Sequence, residues 1–242
     1  MHTTEAHTQT RESLVNAALE LVWPTRCAGC ERAGELLCAS CASKLKYIDR
    51  SFACSRCGAP FGSLVCTECY SRDGRLKHSF VHSLCAVSLD ELSGRIIVLY
   101  KDNNERRLAS VLAKMIVDAL PDEWAQWADI LTWIPVDNKS YRRRGFDHAE
   151  AIARLVAEQC ALPLHALLKK KPCKDQRRLN REDRINNIRE SFSVAQLADG
   201  ESSNVLLLDD VFTTGSTLEA ATLKLMESGV EEVRVVCIAR AW

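Results

Sequence analysis

Val205-Leu206-Leu207-Leu208-Asp209-Asp210-Val211-Phe212-Thr213-Thr214-Gly215-Ser216-Thr217 is the stretch on which the reading of this chain turns. Four consecutive apolar residues predict a strand buried on both faces, and the strand ends in two adjacent carboxylates. The Thr/Gly/Ser loop that follows opens a helix. Unpaired N–H groups and the macrodipole make a helix N-terminus a phosphate site, and hydroxyls add donors. The lysine of a nucleotide-triphosphate loop is missing, and no GxGxxG precedes the helix, so neither a triphosphate nor a dinucleotide is expected. Paired carboxylates in front of a phosphate cradle suit a ligand with hydroxyls beside a monophosphate, as in a sugar phosphate. Simple capping of the helix would need one Ser or Thr; Thr213, Thr214, Ser216 and Thr217 supply four.

Outward from this stretch the pattern alternates. Residues 80–87 read as a strand, 89–100 and 104–119 as two helices with Pro121 behind the second, and Ile130–Val136 as a short apolar strand. Ala149–Gln159 has helical periodicity, Thr217–Ser228 is a helix closed by Gly229, and Val233–Ala239 is a last strand. Strands alternating with helices predict an α/β domain with a parallel sheet flanked by helices. At the N-terminal end, Leu14, Val15, Ala18, Leu19 and Val22 share one helical face, and Pro24 stops that helix.

The chain carries 12 cysteines. Eight of them form CxxC pairs: Cys27/Cys30, Cys38/Cys41, Cys54/Cys57 and Cys66/Cys69. Two thiolates on one tight knuckle point at one metal, and two knuckles complete a tetrahedral site, so four pairs predict two closed, structural zinc sites. Consecutive grouping is the simplest, and pairing of the first knuckle with the third stays open. A disulfide framework needs an oxidising compartment, and four copies of a redox CxxC would be redundant. His78 and His82, beyond the last pair, are not expected to ligate. The remaining Cys85, Cys160, Cys173 and Cys237 are scattered, and Cys85 and Cys237 fall in strand patterns as small core residues.

The division expected is a helix over residues 1–24, a double zinc ribbon over 25–72 and the α/β domain over 78–242. Lys+Arg and Asp+Glu number 32 each among 242 residues, with 47% apolar and 26% charged. That balance excludes a disordered or supercharged chain and strong non-specific attraction to nucleic acid or anionic membrane. No apolar run approaches the roughly 20 residues of a membrane helix, and the polar start does not read as a secretory signal, so a cytoplasmic location without membrane insertion is expected.

The thirteen residues from Val205 to Thr217 resemble the phosphoribosyl-pyrophosphate (PRPP) motif of type I phosphoribosyltransferases. Over most of its length, from about residue 14 to Trp242, the chain resembles the ComF family of competence-related proteins. The likeness rests on the helix ending in Trp23-Pro24, the Arg26-Cys27-x-x-Cys30 start of the double ribbon, and Lys101 after Ile96–Tyr100. It continues in Ile134-Pro135-Val136 followed by Arg142-Arg143-Arg144-Gly145-Phe146, and in Gln176, Leu179, Arg184, Asn187 and Phe192. Two positions depart from the family pattern: Asp147-His148 stands where Asn-Gln is usual, and Cys173 stands where Thr is usual.

The resemblance implies a type I phosphoribosyltransferase fold behind a double zinc ribbon, with PRPP bound together with Mg²⁺. Asp209 and Asp210 would contact the ribose 2′ and 3′ hydroxyls, Thr213, Thr214, Gly215, Ser216 and Thr217 would hold the 5′-phosphate, and Val211 and Phe212 between them complete the PRPP-binding stretch. Lys101, Arg142, Arg143, Arg144 and the Gly145 backbone would face the pyrophosphate at the carboxyl edge of the sheet. Lys169–Arg184 holds eight Lys/Arg against three Asp/Glu. It falls in a segment, 169–190, that resembles the mobile hood of the superfamily and would bring Gln176 and Arg184 to the ligand. No distinctive general base stands out, and His148 is a candidate by position alone. Two functions follow: transfer of phosphoribose to an unidentified acceptor, linked to DNA uptake, or PRPP sensing or single-stranded-DNA handling without chemistry. Single-stranded DNA and DNA-uptake proteins are the partners implied.

Overall fold

In a computed structural model the strand Asn204–Phe212 lies inside a parallel sheet, as its unbroken apolar run demands. The structure describes residues 24–62, 64–71, 73–171, 188–195 and 204–242. The predicted helix over 12–22 and the positions Cys173, Gln176 and Arg184 lie outside these residues. The chain forms two compact units, Met1–Lys44 and Leu45–Trp242.

In the first unit, Cys27 and Cys30 sit on a turn closed by Glu31 N–H donating to the Cys27 carbonyl, 2.8 Å. Cys38 precedes a single helical turn, Ala39–Ala42, that buries Cys41.

The second unit contains strands β1 (His82–Ser88) and β2 (Ile130–Trp133), a small antiparallel pair β3 (Leu168–Lys170) and β4 (Phe192–Val194), and the long strands β5 (Asn204–Phe212) and β6 (Glu232–Arg240). The four-stranded sheet runs β1-β6-β5-β2, every neighbour parallel. Helices α1 (Glu91–Lys101), α2 (Leu108–Ala119) and α3 (Asp122–Trp127) connect β1 to β2. Then come α4 (Asn138–Arg144), α5 (His148–Cys160) and, between β5 and β6, α6 (Ser216–Met226).

Side chains alternate across β5. Val205 and Leu207 share a buried cluster with Val233, Val235 and Cys237 of β6 and with Leu218, Ala221 and Leu225 of α6. Helices α2 and α5 bury Leu108, Leu112 and Ile116, and Ile152 and Val156, at helical spacing, and contact the sheet and each other. Cys85 and Cys237, both buried, lie side by side in the β1–β6 register as the strand patterns predict.

The boundary between the units differs from the predicted one. Cys54, Cys57, Ala59 and Cys69 belong to the same buried cluster as the sheet, so the second ribbon is part of the α/β unit. Its backbone is tied there too: Ile48 N–H donates to Ala86 O and Ser83 N–H to Ser55 O, both 3.0 Å, alongside edge strand β1. Because the ribbon is poor in large aliphatic residues, it borrows the core of the sheet.

Candidate functional site

The two cysteine quartets form as consecutive groups, Cys27/Cys30/Cys38/Cys41 and Cys54/Cys57/Cys66/Cys69, and the interleaved grouping is excluded. Within each the four sulfurs lie within 4.8 Å of one another. Individual separations are 3.8 Å for Cys30–Cys38, 3.7 Å for Cys54–Cys69 and 3.6 Å for Cys57–Cys66. A tetrahedron with Zn–S bonds of about 2.3 Å has edges of about 3.8 Å, so both quartets fit zinc. Backbone N–H groups point at sulfur, Cys38 N to Cys27 Sγ at 3.3 Å and Cys66 N to Cys54 Sγ at 3.2 Å, as thiolate ligands require. Without a cation four such thiols cannot all ionise: the hydrogen bond with Cys54 is the main reason Cys57 is pushed up to about 11. With all four corners taken by protein, these are structural zinc sites. His78 and His82 are in neither quartet.

The Thr213–Thr217 loop is built by the end of β5 and the start of α6. Gly215 has φ 73°, and a Cβ there would stand 2.7 Å from His78 Cε1 and from the Phe212 ring. Only glycine fits such a left-handed, crowded turn. Gly215 is also the N-cap of α6, so no side chain caps this end of the helix from that position. Thr213 and Thr214 are exposed, Ser216 is buried, and the Thr214 and Ser216 hydroxyls lie 3.0 Å apart.

Asp209 and Asp210 occupy the same strand end but face opposite ways, as neighbours on a strand must. Asp210 is buried and paired twice: Lys101 Nζ, from the end of α1, contacts its Oδ2, and His148 Nε2, from the start of α5, lies 2.7 Å from the same oxygen. Burial opposes the Asp210 charge, but His148 and then Lys101 outweigh it and hold the carboxyl well below the ordinary range. Asp209 accepts a hydrogen bond from Asp210 N–H at 2.9 Å. Burial first, and the Asp210 carboxylate second, push the Asp209 carboxyl up to about 7.

The basic knot Arg142-Arg143-Arg144 is the last turn of α4, a helix the sequence pattern did not mark. Asp137 caps this helix through Lys139 N and Ser140 N, and Gly145 ends it at φ 76°. Arg144 donates to Asp102 Oδ1 through Nη2 at 3.0 Å, and Arg143 Nη2 stands 3.8 Å from the same oxygen. Lys101, Asp102, Asn104, Arg143 and Arg144 line one open cavity of about 430 Å³. Arg142 is exposed. The structure thus gathers Lys101, Asp210 and His148 into one contact group and Arg144 onto Asp102, a residue the sequence reading did not single out. Asp147 caps α5 through Ala149 N and Glu150 N and also accepts from Val136 N–H, which fixes the start of α5 and with it His148. Among the described residues no helix is long and apolar enough to cross a membrane.

A family model described as a double zinc ribbon domain matches residues 18–70, and one described as a phosphoribosyl transferase domain matches residues 142–241. Competence protein F of Haemophilus influenzae is 31% identical over 140 residues, which cover 57% of this chain and 61% of that protein. Competence protein ComFC of Bacillus subtilis is 25% identical over 216 residues, 81% of this chain and 80% of that one. Among solved structures, orotate phosphoribosyltransferase from Aeropyrum pernix aligns with 70% of this chain and 72% of its own at 16% identity, with a TM-score of 0.31.

Proposed function

We propose that this chain, which belongs to the ComF family as a double zinc ribbon followed by a phosphoribosyl transferase domain, binds PRPP with Mg²⁺ and transfers its phosphoribosyl group to an acceptor. One observation carries the reading: a helix N-terminus whose N-cap is the crowded, left-handed Gly215 stands directly behind Asp209 and Asp210, at the strand end that Lys101 also reaches.

In this reading the Thr213–Thr217 loop takes the 5′-phosphate through backbone N–H groups and hydroxyls. Asp209, half-buried and near neutrality in its titration, accepts from or donates to a ribose hydroxyl. Asp210 stays ionised at the back of the site and supplies negative charge near the ring carbon. Lys101 and Arg144 offer positive charge to the pyrophosphate. Reaction breaks the C1–O bond to pyrophosphate and forms the bond from C1 to the acceptor, through a state in which C1 carries positive charge. Fixed charges that match it lower the barrier. Mg²⁺ prefers oxygen ligands and would neutralise the pyrophosphate, held by the ligand's own oxygens beside the Asp209 carboxylate. His148, the positional candidate for a base, has its Nε2 on Asp210 and acts in this reading by orienting that carboxylate.

The names of the relatives connect the reading to competence, so the acceptor is sought among components of DNA uptake. The test is a titration of zinc-loaded protein with PRPP and Mg²⁺, followed by an acceptor screen that reads pyrophosphate release. Binding without release under any acceptor would favour a PRPP sensor, and no binding would end the reading.

A further inference from the structure

We propose that Arg240 is a positioning residue through which the second cysteine quartet holds the phosphate loop, so that the loop's geometry depends on metal at the second zinc site and not at the first. The inference deepens the PRPP reading and takes from it the role of the loop.

Arg240 is the last residue of β6 and is buried, which is unusual for a guanidinium unless every donor is engaged. Its partners lie on two different elements. Nε donates to the Cys57 carbonyl at 2.8 Å, inside the first knuckle of the second quartet. Nη1 donates to the carbonyls of Phe212, at 3.2 Å, and Thr213, at 3.0 Å, where β5 turns into the phosphate loop. The guanidinium carbon also sits 4.6 Å from the centre of the Phe212 ring. One planar, permanently charged group thus ties the zinc knuckle to the first residues of the loop.

A second route leaves the same quartet. The backbone carbonyl of Cys69, in the other knuckle, accepts from Lys77 N–H at 2.8 Å. Arg56, between Cys54 and Cys57, donates to the carbonyl of His78 at 2.5 Å and to that of Val81 at 2.6 Å. His78, held from both sides, stacks on Phe80 with ring centres 4.7 Å apart. Its Cε1 lies 2.7 Å from where a Cβ on Gly215 would stand. The loop is therefore braced at its start by Arg240 and underneath by His78, and each brace is anchored on a knuckle whose shape the zinc fixes. Cys27, Cys30, Cys38 and Cys41 belong to the other compact unit.

Hydrogen exchange of the ligand-free, zinc-loaded protein tests this without relying on any activity. In Arg240→Gln, with zinc content still two per chain, exchange of the 213–217 amides should speed up roughly tenfold while residues 205–208 stay protected. Arg240→Lys, which keeps the charge but not the fork, should recover part of the protection. Cys57→Ser should give the same local acceleration, and Cys30→Ser should not. If Cys57→Ser does not fold, Arg240→Gln decides, because it removes no metal ligand. Unchanged exchange at 213–217 in Arg240→Gln, or equal acceleration in Cys30→Ser, overturns the proposal. PRPP titration of the same proteins separates the two readings: wild type that fails to bind ends the ligand assignment, while the exchange data still decide the brace.

Discussion

His148 Nε2 lies 2.7 Å from Asp210 Oδ2, and both side chains are buried. The histidine stands where the ComF pattern usually carries glutamine, and it reaches the carboxylate from the first turn of α5, a helix whose start is fixed by the Asp147 cap. Lys101 meets the same oxygen, so Asp210 is oriented from two helices at once.

Replacing His148 with Leu leaves the buried carboxylate with Lys101 alone. The cost expected is about 1–3 kcal/mol, the usual penalty for removing one partner of a buried hydrogen-bonded charge. Gln, whose amide also donates, should recover about half of it. Urea unfolding at neutral pH measures both, and equal stability of the Leu variant and wild type would show that the contact contributes nothing.

The neighbouring Asp209 predicts a pH dependence of the opposite sense to that of an ordinary salt-bridged carboxylate. Its folded-state value is raised, to about 7 from 3.8, chiefly by burial. The folded protein therefore binds the proton more tightly than the unfolded chain. The stability this contributes is complete below pH 4 and is lost as pH rises through about 7. Asp209→Asn keeps the shape and cannot ionise. Between pH 5 and pH 8 wild type should lose stability relative to the Asn variant, by about 1–3 kcal/mol once solvent screening of a half-buried group is allowed for. Parallel melting-temperature profiles for the two proteins would refute the shift.

The strand–loop–helix from Val205 to Thr217 was legible because its signals agree: an apolar run too short for a helix, then carboxylates, then residues with a specific backbone role. The sheet followed from the same pattern repeated. Helix α4 was not legible, since it buries no residue and its ends are set by the Asp137 cap and the left-handed Gly145. The unit boundary was hidden because cysteine sulfurs serve both as ligands and as core: Cys54 is fully buried and Cys57 and Cys69 nearly so. Sequence spacing reports the first role and says nothing of the second. Arg240 and Asp102 gave weaker signals still. A charged residue closing a run that is apolar from Val235 to Ala239 is the one hint that Arg240 has buried partners.

Sharing of the core makes the two zinc sites unequal. Elemental analysis should give two zinc ions per chain. Cys38→Ser disrupts a quartet in the Met1–Lys44 unit and should leave the main thermal transition in place. Cys57→Ser weakens a site whose metal binding contributes on the order of 10 kcal/mol to folding, and should lower that transition clearly while leaving the sheet folded below it. Equal effects of the two substitutions on the transition would contradict the division at Lys44/Leu45.

Ligand binding is dissected by three substitutions that act on different parts of PRPP. Asp210→Asn keeps the volume but removes the negative charge near the ring carbon and weakens the charge-assisted contacts with Lys101 and His148, worth roughly 1.5–3 kcal/mol each, so affinity should fall about tenfold or more. Gly215→Val places side-chain atoms against His78 and Phe212 at a left-handed backbone position and should lower affinity further, for PRPP and ribose 5-phosphate alike. Arg144→Gln acts at the pyrophosphate end. In the ligand-free protein Arg144 is held by Asp102, so the pyrophosphate must win the guanidinium from a carboxylate, and the Gln variant should lose about tenfold in PRPP affinity. Its affinity for ribose 5-phosphate, which has no pyrophosphate, should stay at the wild-type value. Calorimetry with both ligands in the presence of Mg²⁺ separates the three. If Arg144→Gln weakens both ligands equally, the basic end of α4 does not face the pyrophosphate; if Gly215→Val binds as wild type does, the phosphate is held elsewhere.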